Sequence, residues 1–414
     1  MGPNDEAPPD VPHRHAHAHE PPAIDPEVAR SLWTVVVACA VVTVIAVLVL
    51  WPRGDAATAD PLLLDADPIE ATAIGETLVS CGAGSAETCT QIEFRITGGS
   101  AAGVTGFLDP TARSTVSVGD DILVLAFPSE SGGTIYTFFD HQRGTPMLVL
   151  LILFVAAVVA LGRWRGLGAI AGLVFSLLVI IEFTLPAILD GRPSFPVALA
   201  TAALIAFAAL FLAHGVTTAT AVSLLSTFAS LIATAVLATI FVGATHLTGL
   251  STDSSTLLGG IAAGIDPRGI LLAGIVIGAL GVLDDETVTQ VAAVWELKRL
   301  RPELSRTALV RPALRIGRDH ISSTVNTLFL AYAGAALPLL LLFAGAGQGF
   351  GDIVTREVVA TEVVRALVGS IGLVAAVPAA TWLAAIVVAP TEAPTAELTS
   401  SDDPLDPGGA VEAG

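Results

Sequence analysis

The sequence predicts an α-helical polytopic membrane protein of about eight transmembrane helices, with a small extracytoplasmic β-rich domain between the first and second spans. Three observations predict it. Charged residues make up 14% of the 414 positions and hydrophobic residues 53%, whereas a soluble domain carries roughly 25% charge; the mean hydropathy is +0.76. The apolar residues come in blocks, several reaching the roughly 18–20 residues that cross a bilayer. One segment between two blocks changes instead to a period of two. Lipid is therefore the expected solvent for most of the chain. The net charge of −19 gathers in the two tails and in residues 52–143, which argues against nucleic-acid binding, since that needs concentrated Lys and Arg.

Residues 1–30 are rich in Pro, Asp, Glu and His without an apolar period, and read as a disordered tail. His13, His15, His17 and His19 alternate there. Imidazoles so spaced chelate Zn²⁺, Ni²⁺ or Cu²⁺, but in a tail they bind weakly and without fixed geometry, and no resident cofactor is expected. Residues 31–51 hold the first span, Leu32 to Trp51. Ala57–Thr58–Ala59 follows it, in the manner of a signal-peptide cleavage site; the long acidic tail and long apolar run favour an uncleaved anchor. Cys39 lies inside this run as a small buried hydrophobe.

The β-rich segment is residues 52–145. Gln91 to Thr97 alternates strictly, Gly119–Asp120–Asp121 is a turn, and Ile122–Phe127 and Thr134–Phe139 read as further strands. A small barrel or sandwich is expected; periodicity does not decide whether the barrel is of the oligonucleotide/oligosaccharide-binding type. Cys81 and Cys89 bracket a loop of small and polar residues, and a disulfide between them fits an oxidising compartment.

Residues 146–390 form the membrane domain. Its expected spans are Met147–Leu161, Leu167–Leu189, Pro196–Leu212, Val216–Gly243, Gly269–Leu283, Thr324–Phe343 and Val363–Val388. Leu257–Ile265 is too short to cross alone and reads as a helix extension or a re-entrant turn. Residues 391–414 are a second acidic tail. Lys298, Arg299, Arg301, Arg306, Arg311, Arg315 and Arg318 crowd the loop expected after Trp295, and Arg163 and Arg165 flank a second turn. Lys and Arg are retained on the cytoplasmic side, so both termini are expected in the cytoplasm and the β domain outside the plasma membrane of a bacterium.

Four phrases in the membrane portion recur in order: Asp140–His141–Gln142–Arg143; Gly162–Arg163–Trp164–Arg165–Gly166–Leu167; Leu185 to Gly191; and Gly278–Ala279–Leu280–Gly281–Val282–Leu283–Asp284–Asp285, continuing through Glu286–Thr287–Val288–Thr289–Gln290 to Trp295–Glu296–Leu297. On these, residues 60–390 resemble the YibE/F-like family of bacterial multi-pass membrane proteins. One departure is Glu286, where the family usually carries an aliphatic residue. The resemblance implies a multi-pass protein often presumed to be a transporter, without naming a substrate.

Asp284, Asp285 and Glu286 directly follow an unbroken apolar run. If that helix continues, Asp285, Thr289 and Glu296 share one face, with Thr287 and Gln290 on adjacent faces. Carboxylates within hydrocarbon need protein, water or cation partners, which reads as an ion or proton site. The competing reading ends the helix there and leaves the acids at the headgroups. Glu182 is an isolated intramembrane carboxylate four residues before Pro186, whose missing amide would break the helix; it serves an ion pathway, or lies near the outer end of its span and pairs with Arg192. The hydroxyls of the span Val216–Gly243 read as close helix packing. No hydrolase, zinc-protease, P-loop or dinucleotide motif is present, so no enzyme activity is expected. The expected function is a transporter or permease for a small solute or ion. Alternatives are a scaffold or sensor whose β domain binds an envelope partner and, less favoured, an enzyme acting on a lipid-linked substrate. A homo-oligomer stays open.

Overall fold

The computed structural model describes residues 24–54, 68–80, 88–99, 101–108, 116–128, 133–251, 265–347 and 349–389. The acidic C-terminal tail and the four tail histidines, His13, His15, His17 and His19, lie outside the described residues, as does Leu257–Ile265 except for Ile265. The chain divides into two compact units, one of Ile45–Gly215 and Thr248–Ala273, the other of Met1–Val44, Val216–Leu247 and Gly274–Gly414.

The first helix, α1, spans Pro26–Leu50. It starts inside the segment expected to be an unstructured tail. Proline at the first helical position surrenders no hydrogen bond, and the Asp25 carboxylate accepts from the Glu27 amide at 2.8 Å, satisfying an amide the helix cannot.

Five strands follow: β1 Ile69–Ser80, β2 Thr88–Ile96, β3 Thr105–Phe107, β4 Asp121–Pro128 and β5 Thr134–His141. They form one sheet in the order β3-β2-β1-β4-β5, every neighbour antiparallel. A parallel bridge between Leu108 and Tyr136 joins the two ends of that order. The sheet is thus a small barrel rather than a sandwich, and its connectivity is that of the oligonucleotide/oligosaccharide-binding barrel. Alternate residues point inward: Ala71 and Ala73 from β1, Ile92, Phe94 and Ile96 from β2, Ile122 and Val124 from β4. A bulge between Ala73 and Gly75 bends β1.

The barrel is bonded to the helix after it, α2 (Gly144–Val179). Gln142 donates its backbone amide to the Asp121 carbonyl at 2.8 Å and its side-chain amide to that of Ile122 at 3.3 Å. Arg143 Nη1 lies 2.7 Å from both oxygens of Asp140. That hydrogen bond, with one from the His141 amide, holds the Asp140 carboxyl below the usual carboxylate range. Its contribution is therefore present at neutral pH and fades as the pH falls through the lowered value.

A π turn, Ile180–Thr184, and a short helix, α3 (Leu185–Leu189), continue α2 into a 46-residue run. The run is not straight. Arg163 has non-helical angles (φ 51°, ψ −127°), and a Cβ added to Gly166 would lie 2.5 Å from the Val158 carbonyl oxygen, so the chain folds back at the Gly162–Gly166 turn. The two spans expected here lie on either side of Arg163. The π turn sits where Pro186 withholds the amide that Glu182's carbonyl needs. Beyond α3 the Asp190 carboxylate accepts from the amides of Arg53 at 3.0 Å and Gly54 at 3.1 Å and pairs with Arg192 at 3.6 Å. Helix α4 (Ser194–His214) packs on α2.

The other unit contains α5 (Thr218–Ala244), α6 (Pro267–Leu300) from Gly274 onward, α7 (Arg306–Ala335), α8 (Leu337–Gly345), α9 (Phe350–Thr355) and α10 (Glu357–Val388). Boundaries differ here from expectation. Helix α6 does not end at Leu283 but continues to Leu300. The basic segment after Trp295 is not one loop: residues 301–305 connect the helices, and Arg306, Arg311, Arg315 and Arg318 lie on α7. Among the described residues, six helices are long and apolar enough to cross a membrane, or seven if α7 and α8, bent by 60°, count as one span.

Helices α5 and α10 pack where Gly372 meets Thr234; a Cβ on Gly372 would collide with Thr234 Oγ1. Gly369, one turn earlier, has open space in the same test. Gly372→Val is therefore expected to destabilise the detergent-solubilised protein by about 1–3 kcal/mol, read as a lower midpoint in thermal unfolding, and Gly369→Val to leave it close to wild type. Equal midpoints for the two variants would refute this contact.

Candidate functional site

The second half of α6 carries two opposed faces. Leu283, Glu286, Thr287, Gln290, Val291, Val294 and Lys298 are buried at helical spacing, while Asp285, Thr289 and Glu296 are exposed. The face expected to be the polar seam therefore points away from the protein interior, and the adjacent one carries the buried polar groups. The reason is packing: the apolar stripe of Leu283, Val291 and Val294 decides which way α6 turns, and Glu286, Thr287 and Gln290 share that stripe. Glu296 pairs with Arg299 one turn on, which keeps it at the exposed surface.

Glu286 is 1% exposed. His320 Nε2, on α7, lies 3.3 Å from its Oε2, and neither carboxylate oxygen has a hydrogen-bond partner. Asp284 is half-buried, with Oδ1 enclosed and unpartnered. Thr287 donates to Thr227 of α5 at 2.7 Å, Thr227 in turn donating to its own helix, and Thr287 Oγ1 lies 3.1 Å from the Asp284 carbonyl. Gln290 Nε2 donates to the Ala313 carbonyl of α7 at 2.9 Å and to Thr381 Oγ1 of α10 at 2.7 Å. Four helices thus meet in one polar layer. Gly317 makes the crossing close enough: its Cβ would lie 2.5 Å from Val377 Cγ1 and 2.8 Å from Gln290 Oε1. At the end of α6, Lys298 Nζ donates to the Pro302 and Leu304 carbonyls at 2.7 and 3.0 Å, closing the turn into α7.

Most α5 hydroxyls bond their own helix. Ser223, Ser226, Thr227 and Thr234 donate to the carbonyls four residues earlier. That leaves them no hydrogen to offer a solute and fits close packing. Ser230 Oγ, buried and unpartnered, is the exception.

Glu182 is not brought to this layer. It lies in the other unit, on the π turn, and is exposed. The next residue, Phe183, stacks on Trp51 at 5.7 Å, and Arg192, its expected partner, pairs with Asp190 instead. Cys89 is disulfide-bonded and Cys39 is free; Cys81, the expected partner of Cys89, lies outside the described residues. Among the described residues no three His, Cys, Asp or Glu side chains come together at metal-ligating spacing.

Sequence reasoning missed His320, Gly317, Thr381 and an ion pair within α10, Glu362 with Arg365 at 2.8 Å. His320 follows a run of arginines read as a loop. Glu362 and Arg365 sit at the edge of a span placed a few residues too late. In both cases the signal was a helix longer than its apolar part.

Gln290→Leu removes both inter-helix donations and leaves a buried carbonyl and hydroxyl to be compensated. A loss of about 1–3 kcal/mol is expected, measured as a fall in the thermal midpoint, with Glu296→Gln as an exposed control at wild-type stability. A Gln290→Leu variant as stable as wild type would show that the layer is not held by this amide.

No curated protein and no solved structure matches the chain. The family described as YibE/F-like protein matches residues 150–390. That stretch contains the polar layer and leaves out α1, the barrel and the Asp140–Arg143 phrase. With more than half of its length matched, and with helices of membrane-spanning length and composition, the chain is an integral membrane protein that belongs to the YibE/F-like family.

Proposed function

We propose that the protein is a transporter or permease for a small solute or ion, with Glu286 as its coupling group and His320 as the partner that Glu286 exchanges for a proton or cation. The observation that carries this reading is a carboxylate enclosed by protein, paired with one imidazole and without a hydrogen bond. Burying a carboxylate in this way is costly unless a proton or a cation compensates it. Asp284 Oδ1 is a second enclosed, unpartnered oxygen on the same helix, turned to another side of it. His320 is half-exposed, which gives the pair a route to water.

The topology in this reading has eight crossings. A straight 46-residue helix would be about 69 Å long, twice a bilayer, so the turn at Arg163 makes two spans of one run; the bent α7–α8 pair adds another. An even number puts both termini on one side. The arginines at the turn and on α7 favour the cytoplasm of a bacterium for that side, and the bonded Cys89 favours an oxidising exterior for the barrel.

The test is proton entry into proteoliposomes, followed with a trapped pH dye under an imposed potassium diffusion potential. Wild type is expected to exceed empty vesicles. Glu286→Gln and His320→Asn should lower the rate at least about tenfold, an acid–base effect of ordinary size, while Glu296→Gln leaves it unchanged. Full flux in Glu286→Gln, or none in wild type, would remove the proposal.

A second reading is favoured by the barrel. Its connectivity belongs to a class whose outer face binds oligosaccharides and oligonucleotides, and Phe107, Phe127 and Ile135 are exposed on it. A scaffold or sensor docking an envelope component would use that face rather than Glu286.

A further inference from the structure

Helix α7 changes character at His320. Beyond it the exposed face is first uncharged and polar, with Ser322, Ser323, Asn326 and Thr327, and then apolar, with Phe329 and Leu330 exposed, as are Leu337, Leu341 and Leu342 after the 60° bend; these last are lipid-facing side chains on a span. Before it, the exposed face carries Arg311, Arg315 and Arg318 at spacings of four and three, one stripe of the helix. Ile316, 47% exposed, lies on the flank between this stripe and the packed face. The opposite face is packed, with Leu309, Val310, Ala313 and Gly317 buried.

Among the described residues none of the three arginines has an ion-pair partner. The neighbouring acid, Asp319, is itself exposed. The stripe's depth is set by the polar layer: Gln290 ties Ala313, between two of the arginines, to Thr381. The next residue, Trp382, is 44% exposed, and exposed Trp on a span marks the membrane–water boundary. Three guanidinium groups without an ion-pair partner among the described residues therefore stand at the level of the membrane–water boundary.

We propose that the Arg311–Arg315–Arg318 stripe of α7 is a binding surface for the phosphate headgroups of anionic lipids. Guanidinium matches phosphate in a planar, two-pronged geometry, and the arginine stems lie along apolar surface while their heads reach the headgroups. The spacing carries three headgroup contacts along one helix face. The same helix presents Ala313 and His320 to α6, so headgroup binding also holds α7 against the polar layer. The lipid surface does not depend on transport.

The experiment uses the full-length protein in detergent micelles, titrated with a fluorescent phosphatidylglycerol and a fluorescent phosphatidylcholine. Wild type should prefer the anionic lipid by at least about tenfold at low salt, falling as salt rises. R311Q/R315Q/R318Q should lose most of that preference, at about fivefold in affinity per arginine. R311K/R315K/R318K, which keeps the charge, should retain a salt-sensitive preference and also controls for folding. An unchanged preference in the glutamine variant overturns the proposal. So does displacement of the lipid by millimolar inorganic phosphate, which would make this a free-anion site. Equal affinity of wild type for the two lipids, the result expected if the stripe faces an acidic protein instead, overturns it as well.

Discussion

Gln290 has two side-chain amide hydrogens, and each is committed to a different helix. One goes to the Ala313 carbonyl of α7, the other to Thr381 of α10. With the donor fixed at both ends, the crossing of α6 over α7 has one register. Moving four residues back along α6 reaches Glu286, and seven residues on along α7 reaches His320; the helices run antiparallel, so the two meet at 3.3 Å. Gly317 lies between, and only the absence of its Cβ lets α7 approach Gln290 and Val377. The ion pair is thus a consequence of a neutral hydrogen-bonded clamp one turn away. In a low-dielectric interior such an amide is worth keeping, because the groups it satisfies would otherwise be stranded.

The same geometry explains why three consecutive acids have three different fates. Successive helix positions are rotated by about 100°, so Asp285 and Glu286 cannot both face inward. The apolar stripe of Leu283, Val291 and Val294 turns Glu286 toward protein and Asp285 outward, with Asp284 half-buried at the stripe's other edge. Carboxylates cost roughly 2.5–3.5 kcal/mol at the centre of a span on insertion scales. That cost is lower at the level of His320, where the exposed side chains of α7 on either side are polar, Arg315 and Arg318 before it and Ser322 and Ser323 after it. Depth and burial are separate here. Glu286 is enclosed because protein surrounds it, not because it lies at the middle of the bilayer.

What was legible in the sequence follows this separation. The spans were legible because long apolar runs need no tertiary information, and so was the turn at Arg163, set between two of them. The strands were legible from alternation at Gln91–Thr97, but their order was not: period two says nothing about which strand sits beside which, and the bridge from Leu108 to Tyr136 that closes the barrel is long-range. At the site, Glu286 and Gln290 were named from composition and position, whereas the choice of face was not. It depended on α6 continuing past Leu283, which tertiary packing against α5, α7 and α10 decides. His320 was hidden by the arginines before it. Ala, Leu and Arg in Arg306–Arg318 are good helix formers, and a run of them beside a span extends the helix more readily than it makes a loop.

Glu286 is also a charged group set among neutral ones. Its surroundings are built by something other than its charge. The clamp supplies that: Gln290, Ala313, Thr381 and the Thr287–Thr227 bond hold four helices together whether or not residue 286 is charged. An aliphatic side chain there would simply extend the stripe of Leu283 and Val291. The carboxylate instead needs His320 opposite, and His320 is placed by the clamp rather than by the acid. The polar layer is therefore the framework, and the Glu286–His320 pair is an addition to it that draws on a register already fixed.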